Sequence, residues 1–482
     1  MNRQNIWLHL AIAASLIVIA AVVGQIRRWE FQQTENLATT AKPESTKACA
    51  MSRSRSEREP EVLVRFKPNV SLSEIKKIAD RKNDLVEDEI ESVKNLVAID
   101  DLSNRAPEAV AEEYRQLGEM VEYAEPNFEI KLVPAEIEIE RVLTQNGGKP
   151  DVSSNEGKNL PNDPYFVAQW ALRNNGQNNG KEKADIDAIN AWTKTKGSRK
   201  VVVAVLDSGV DYTHQDLIEN IWQRPDSVPA YKDDELGAFD DKHGFNSAEN
   251  IGDPMDDNGH GTHCAGVVGA VGDNNEGIAG INWNVEIMGL KFLGKGGFGS
   301  TKNAIEAINY AIDRKRAGVN VRVISASWGS TQNSRALEDA IRKAGEEGIL
   351  FVAAAGNSSA NTDKFPHYPS SYKLPNVVSV AALDRFDALA SFSNYGAKSV
   401  HIAAPGKEIM STWLKGNYRE ASGTSMATPQ VSGVAALVLA VKPNLSVEDL
   451  RERLLKSVDK LDALDGKIEN AGRLNAAKAV GE

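Results

Sequence analysis

Apolar residues are distributed along this chain in three regimes. From Ile6 to Val23 they run almost unbroken, interrupted by His9 and Ser15. That is long for the apolar core of a signal peptide and close to the length of a membrane span. From Gln32 to Pro60 the chain is polar and rich in Ser, Thr, Lys and Arg, a pattern that predicts a leader with no core of its own. From Glu61 onward, short apolar runs alternate with amphipathic stretches, the signature of packed strands and helices.

The first of these folded stretches is small. EVLVRFKP predicts a strand, and SLSEIKKIAD predicts a helix that opens on a capping box, Ser71 to Glu74, with Ile75, Ile78 and Ala79 on one face. LVEDEI and NLVAIDDL predict two further strands. PEAVAEEYRQLGE predicts a helix with Pro107 in its first turn and Val110, Tyr114 and Leu117 along one side, and VEYAEPNFEIKLV a closing strand. The β-α-β-β-α-β order predicts a small α+β domain of ferredoxin-like type over residues 61–133. Residues 134–158 turn acidic and then rich in Gly, Asn, Ser and Lys, as a linker open to cleavage would.

The remainder, residues 159–482, has the rhythm of an α/β domain. VVVAVL is apolar at every position, which suits a parallel strand buried on both faces. VRVISASWG and ILFVAAAGNSS are further strands, separated by the amphipathic helices TKNAIEAINYAIDRKRAG and SRALEDAIRKAGEEG. HGTHCAGVVGA and SMATPQVSGVAALVLA predict helices packed through small residues. The expected architecture is a parallel β-sheet flanked by helices, preceded by the small domain.

Composition narrows the function classes. At 482 residues and 41% hydrophobic content the chain can build a large core, and a net charge of −11 argues against nucleic acid as a partner. No phosphate-binding loop, dinucleotide fingerprint or zinc-type Cys/His spacing occurs. The two cysteines, Cys49 in the polar leader and Cys264 in a predicted core, give no expectation of a disulfide. Residues 1–24 are expected to act as a signal peptide or signal anchor and 25–60 as the leader. Arg27 and Arg28 beyond the apolar stretch keep the anchor open as the alternative.

Chemistry concentrates in three glycine-rich turns: VLDSGVDYTHQDL with Asp207, NGHGTHCAG with His260 and His263, and GTSMATP with Ser425. An acid, an imidazole and a hydroxyl are the parts of an activated serine nucleophile. The imidazole takes the hydroxyl proton, and the acid holds one tautomer and stabilises the imidazolium. Asp207 ends a strand, where open α/β sheets place their ligands. Ser425 begins a helix, where backbone N–H groups face a developing oxyanion.

These segments, in the order Asp, His, Ser, resemble those of subtilisin-like serine proteases of the thermitase and proteinase K groups. The resemblance covers residues 159–482, with Gln430 and Ser432 beside the serine standing where many relatives carry His and Ala. It implies that His260 is the base, that His263 is structural and that Cys264 is a buried thiol. Asn357, in AAGNSS, becomes the amide donor to the oxyanion. An extended substrate would lie between Gly297-Phe298-Gly299 and Ser327-Trp328-Gly329, with Ala355 and Gly356 walling the pocket for the residue before the scissile bond, Ser358 at its rim and His367 near its floor. With no acid in that pocket, apolar or aromatic residues are expected there and specificity is expected to be broad. The small domain resembles the family's inhibitory propeptide.

AVGDNNEGIAG is the kind of oxygen-rich loop that calcium favours, and it resembles the calcium loop of the thermitase group. The implied ligands are Asp163, Asp216 and Asn274 through side chains and Val271, Glu276 and Ile278 through carbonyls. DPMDDNG, with Asp253, Asp256 and Asp257, is either a second ion site or a plain acidic loop. The expected protein is a secreted, calcium-stabilised, monomeric serine endopeptidase acting on proteins and peptides and made as a zymogen held by its own propeptide. A membrane-tethered processing protease and a non-catalytic binding protein of the same fold are the alternatives.

Overall fold

The computed structural model describes residues 61–132, 142–143, 160–233 and 237–481. The expected signal segment, the leader with Cys49, and the linker apart from residues 142–143 lie outside these residues.

The small domain comprises β1 (Val62–Phe66), α1 (Leu72–Lys82), β2 (Asp84–Glu89), β3 (Leu96–Asp101), α2 (Pro107–Arg115) and β4 (Val121–Pro126). Its strands form one sheet in the order β2-β3-β1-β4, with every neighbouring pair antiparallel. The Ser71 hydroxyl caps α1 by accepting from the Glu74 amide at 3.3 Å. Ile75, Ile78 and Ala79 of α1 and Val110 and Tyr114 of α2 pack on Val62, Val64 and Phe66. Leu63 points the other way, with Leu96, Ala98 and Tyr123, into the core of the larger domain. Two buried faces explain why EVLVRF lacks the alternation of a half-exposed strand.

The stretch VEYAEPNFEIKLV is two strands, not one. Proline at position 126 offers no N–H to continue the ladder. Beyond it the chain leaves the sheet, and β5 (Glu129–Lys131) pairs with a strand of the larger domain. Residues 142–143 form β6.

In the larger domain the chain runs through β7 (Gly197–Asp207), β8 (Gly244–Asn246), α3 (His260–Gly269), β9 (Asn284–Lys291), β10 (Phe298–Ser300), α4 (Thr301–Arg316), β11 (Val321–Ala326), α5 (Arg335–Glu346), β12 (Leu350–Ala354), β13 (Val377–Leu383) and β14 (Ile402–Pro405). It continues through β15 (Ile409–Trp413), β16 (Asn417–Ala421), α6 (Thr424–Val441), α7 (Val447–Lys456), β17 (Val458–Lys460) and β18 (Gly472–Leu474). Nine strands form the central sheet in the order β8-β9-β7-β11-β12-β13-β14-β18-β17, parallel except for β17 at one edge. Along β7, Val201, Val203 and Val205 enter the core on one face and Val202, Ala204 and Leu206 the core on the other.

The two domains meet where α4 and α5 begin. The Glu125 carboxylate accepts from the Ser334 hydroxyl at 2.5 Å and from the Arg335 and Ala336 amides at 2.9 and 3.1 Å. At α4 the Thr301 amide donates to the Phe128 carbonyl and the Lys302 amide to Asn127 Oδ1, each at 2.9 Å. A helix start leaves its first N–H groups unpaired, and an acidic group there also meets the positive end of the helix dipole.

Candidate active site

Asp207 ends β7, fully buried, and its Oδ1 accepts from the Ser208 amide at 2.7 Å and from His260 Nδ1 at 2.8 Å. That contact leaves Nε2 of His260 as the nitrogen able to take a proton. His260 is the first residue of α3; one turn later Cys264 Sγ lies 3.6 Å from the Ser425 carbonyl, which joins α3 to the start of α6. The Asp207 carboxylate, His260 ring and Cys264 thiol each present an atom within 4.8 Å of the others. Burial pushes the thiol pKa well up, so the sulfur stays a neutral packing group. Ser425 Oγ donates to the Ser327 carbonyl at 2.9 Å.

Asn357 has its orientation fixed by its neighbours. Its Oδ1 accepts from the Thr424 amide and the Thr424 hydroxyl, both at 2.8 Å, so the NH₂ edge is the one left to donate. Asn357 and Ser425 line one cleft together with Ser327, Trp328, Gly329 and Gly356. Trp328 is anchored from behind by its indole N–H on the Leu206 carbonyl at 2.9 Å, and Ala355 is fully buried. His263 serves as a tie, its Nε2 lying 3.0 Å from the Ile409 carbonyl and 3.1 Å from that of Arg419. Burial lowers its pKa to about 3. Ser432 Oγ meets Ser325 Oγ at 2.9 Å inside the core.

The edge at Gly297–Gly299 carries a ladder, Phe298 opposite Lys131 and Gly299 opposite Ile130, and the Leu132 amide continues it to the Gly297 carbonyl at 2.9 Å. Lys131 and Leu132 also line the Ser425 cleft. The smaller domain therefore lays its last described residues along the edge that the sequence reading assigned to substrate.

The oxygen-rich loop gathers the six residues expected of it. Asp216 accepts from Asn274 Nδ2 and from the Ile278 amide, both at 2.9 Å, and its carbonyl accepts from the Val271 amide at 2.8 Å. Asp163 accepts from the Asp273 amide at 2.8 Å through one oxygen, while Oδ1 is buried without a hydrogen-bond partner. The Glu276 amide donates to Asn274 Oδ1 at 2.8 Å. Burial, aided by Asp273, pushes Asp163 up to about 6; burial, aided by Asp163 and Glu276, pushes Asp216 well above the usual carboxylate range. Two buried carboxyls with a spare oxygen between backbone turns fit a hard cation, which would offset the negative charge that burial disfavours.

The DPMDDNG loop has a different use, one that the sequence reading missed. Asp256 Oδ1 accepts from the Ser208 hydroxyl and the Asn258 and Gly259 amides, each at 2.9 Å; Oδ2 accepts from the Thr262 amide at 2.9 Å and its hydroxyl at 2.6 Å. Asp257 pairs with Lys291 at 2.6 Å, and Asp253 accepts from the Tyr212 hydroxyl at 3.1 Å. With its acids so engaged, the loop ties the Asp207 turn to the His260 turn. An Asp at the head of an x-x-G-H turn was the only sequence signal for it.

Comparison with known proteins agrees with the layout. Residues 198–476 match the model of the Subtilase family. The chain is 33% identical over 429 residues to a thermophilic serine proteinase of Bacillus sp. strain AK1, covering 87% of each. It is 36% identical over 320 residues to thermitase of Thermoactinomyces vulgaris, 66% of this chain and 99% of that one. A solved protease of Pseudoalteromonas arctica PAMC 21717 superposes with a TM-score of 0.54 at 30% identity, over 66% of this chain and 98% of that one.

Replacing Asp256 by Ala should strand five donors, four of them buried. At about 1–3 kcal/mol for each unpaired group the loss of stability should exceed about 3 kcal/mol, with Asp256→Asn intermediate. Denaturant melts in a Ser425→Ala background, free of self-digestion, measure it; equal melts for the Ala variant and its parent would contradict the assignment.

Proposed function

The chain belongs to the subtilase family and is a serine endopeptidase, and from that membership we propose that Asp207, His260 and Ser425 carry its chemistry in a secreted enzyme held as a zymogen by residues 61–133. The observation that carries the reading is the 2.8 Å contact of His260 Nδ1 with buried Asp207, one helix turn from the segment that bears Ser425. The Ser425 oxygen attacks the peptide carbonyl as its proton passes to His260 Nε2. His260 then returns that proton to the leaving amine, and water resolves the acyl-enzyme by the same route in reverse. The oxyanion is met by the Asn357 NH₂ and by the Ser425 amide at the start of α6. Substrate adds as a strand along Gly297–Gly299, facing Ser327–Gly329. Because the backbone carries these bonds, many sequences fit.

Ser425→Ala should abolish both peptide hydrolysis and labelling by a serine-directed phosphonate. Asn357→Ala should keep substrate affinity and lower kcat by about 3 kcal/mol, the scale of one lost oxyanion donor in enzymes of this kind. Normal turnover in either variant would remove that residue from the mechanism.

Calcium is the cation proposed for Asp163, Asp216, Asn274 and the carbonyls of Val271, Glu276 and Ile278. An ion that binds only the folded state stabilises it by mass action, about 2.7 kcal/mol at a hundredfold excess over Kd. Chelation should lower the Tm of Ser425→Ala protein and speed self-cleavage near residues 271–278 of the active enzyme; an unchanged Tm in protein shown to be metal-free would exclude the site.

The zymogen reading is supported by the β5–β10 ladder across the substrate edge and by Glu125 at the start of α5. The 429-residue match to the Bacillus proteinase is also longer than residues 159–482, so it reaches into the smaller domain. The interface buries an acidic cluster in which Asp88 faces Asp233 and Glu306, with the more exposed Glu91 at its edge. Lys302 stands 2.6 Å from Asp88, Asn309 donates to Glu91, and Tyr231 lies close by. Burial first, then Asp233 and Asp88, pushes Glu91 up to about 7, and burial likewise raises Glu306. A carboxyl whose pKa rises on docking takes up a proton as it docks. Docking is then unpenalised below the ordinary value near 4.5, weakens from there to about 7 and is level above. Residues 61–133 added to mature enzyme should inhibit it, with Ki rising by up to roughly tenfold per pH unit between pH 5 and 7. Glu125→Ala should weaken inhibition at every pH. Full activity at micromolar excess of intact fragment would leave the domain an accessory.

A further inference from the structure

The slot beside Ser425 is walled by two glycines, Gly329 beyond the end of β11 and Gly356 beyond the end of β12, and His367 lies between them. A methyl group placed on Gly329 would fall 2.1 Å from Cε1 of His367 and 2.8 Å from Nδ1. One placed on Gly356 would fall 2.9 Å from Cδ2 and 3.0 Å from Nε2. Opposite edges of one imidazole thus rest against opposite walls, so the ring spans the slot. Only glycine on both sides leaves room for it, and any side chain larger than hydrogen at either position would push it out.

The ring is also held from behind. The His367 amide donates to the Ser371 hydroxyl at 3.1 Å, and its carbonyl accepts from the Ser371 amide at 2.9 Å and the Ser370 hydroxyl at 2.8 Å. A hydrogen bond to the Ala354 carbonyl fixes the imidazole, while Nδ1 is buried without a partner. Burial lowers the ring pKa to about 4, so at neutral pH it is an uncharged plug that offers no attraction to an acidic side chain.

We propose that His367 fills the inner part of the pocket for the residue before the scissile bond and restricts cleavage to peptides carrying a small side chain there, Gly, Ala or Ser. The proposal rests on the peptidase reading of the Ser425 cleft and narrows it, replacing the apolar or aromatic preference expected from the sequence. A methyl or hydroxymethyl group can lie on the exposed edge of the imidazole. A phenyl or isobutyl group would have to occupy the volume the ring already fills, and close-packed interiors do not yield that space without displacing a residue. Breadth of specificity then comes from the backbone ladder, and selection from the size of this one side chain.

The experiment uses mature enzyme titrated for active sites with a phosphonate that labels Ser425. A peptide series differing only in the residue before the scissile bond, with Ala, Ser, Leu and Phe, is assayed for kcat/KM. A digest of a mixed peptide library reads the same preference without chosen substrates. Wild type should favour Ala and Ser over Phe by at least tenfold. His367→Gly should raise kcat/KM for Phe relative to that for Ala by at least tenfold; His367→Ala serves if the glycine variant does not fold. Labelled wild-type enzyme that cleaves after Phe or Leu as readily as after Ala overturns the proposal. Failure of the phosphonate to label Ser425 overturns the peptidase reading beneath it.

Discussion

A single desolvated carboxylate braces the turns that carry Asp207 and His260. Asp256 receives hydrogen bonds from the turn after β7, from its own loop and from the first turn of α3, and so brings Asp207 and His260 to one register. The Ser208 hydroxyl extends the brace by accepting from the Gly261 amide at 3.0 Å, and the Asp211 amide donates to the Thr262 hydroxyl at 2.9 Å. A carboxylate is costly to bury unless its lone pairs are filled. Here they are filled by groups from three segments, so none of those segments can move without exposing the charge.

The same economy governs the meeting of the two domains. Helices α4 and α5 begin with N–H groups that need acceptors, and residues 125–128 supply them with a carboxylate, a carbonyl and an amide oxygen. Without residues 125–128, water would have to take over these roles. The acidic cluster around Glu306 works against the caps, since it gathers like charges with Lys302 as the cation beside them. The contact between the domains is thus fastened by hydrogen bonds and weakened by charge.

How far the sequence could be read depended on how local the cause was. The helix caps at Ser71, the helical faces of Ile75 and Val110, and the doubly buried strand before Asp207 all follow from neighbours within a few positions. The break at Pro126 is local too, yet the apolar pattern continues across it and hides that the two halves belong to different sheets. For Asp256 the sequence leaves open a second ion site or a plain acidic loop, since nothing near it announces donors arriving from Ser208 and Thr262.

By itself the sequence determined most of the elements, the family and the chemical kinds of residue at the site, because strand and helix periods and glycine-rich turns are written in consecutive residues. Only the tertiary structure decided which partner each of those residues meets. The Asp207–His260 contact spans 53 positions, Glu125 reaches a helix more than two hundred residues away, and His367 comes to rest between glycines that follow two different strands. Those encounters follow from the order of strands in the sheet and the crossing of the helices on it, and both are settled by burying the whole apolar surface at once rather than by any short stretch of chain.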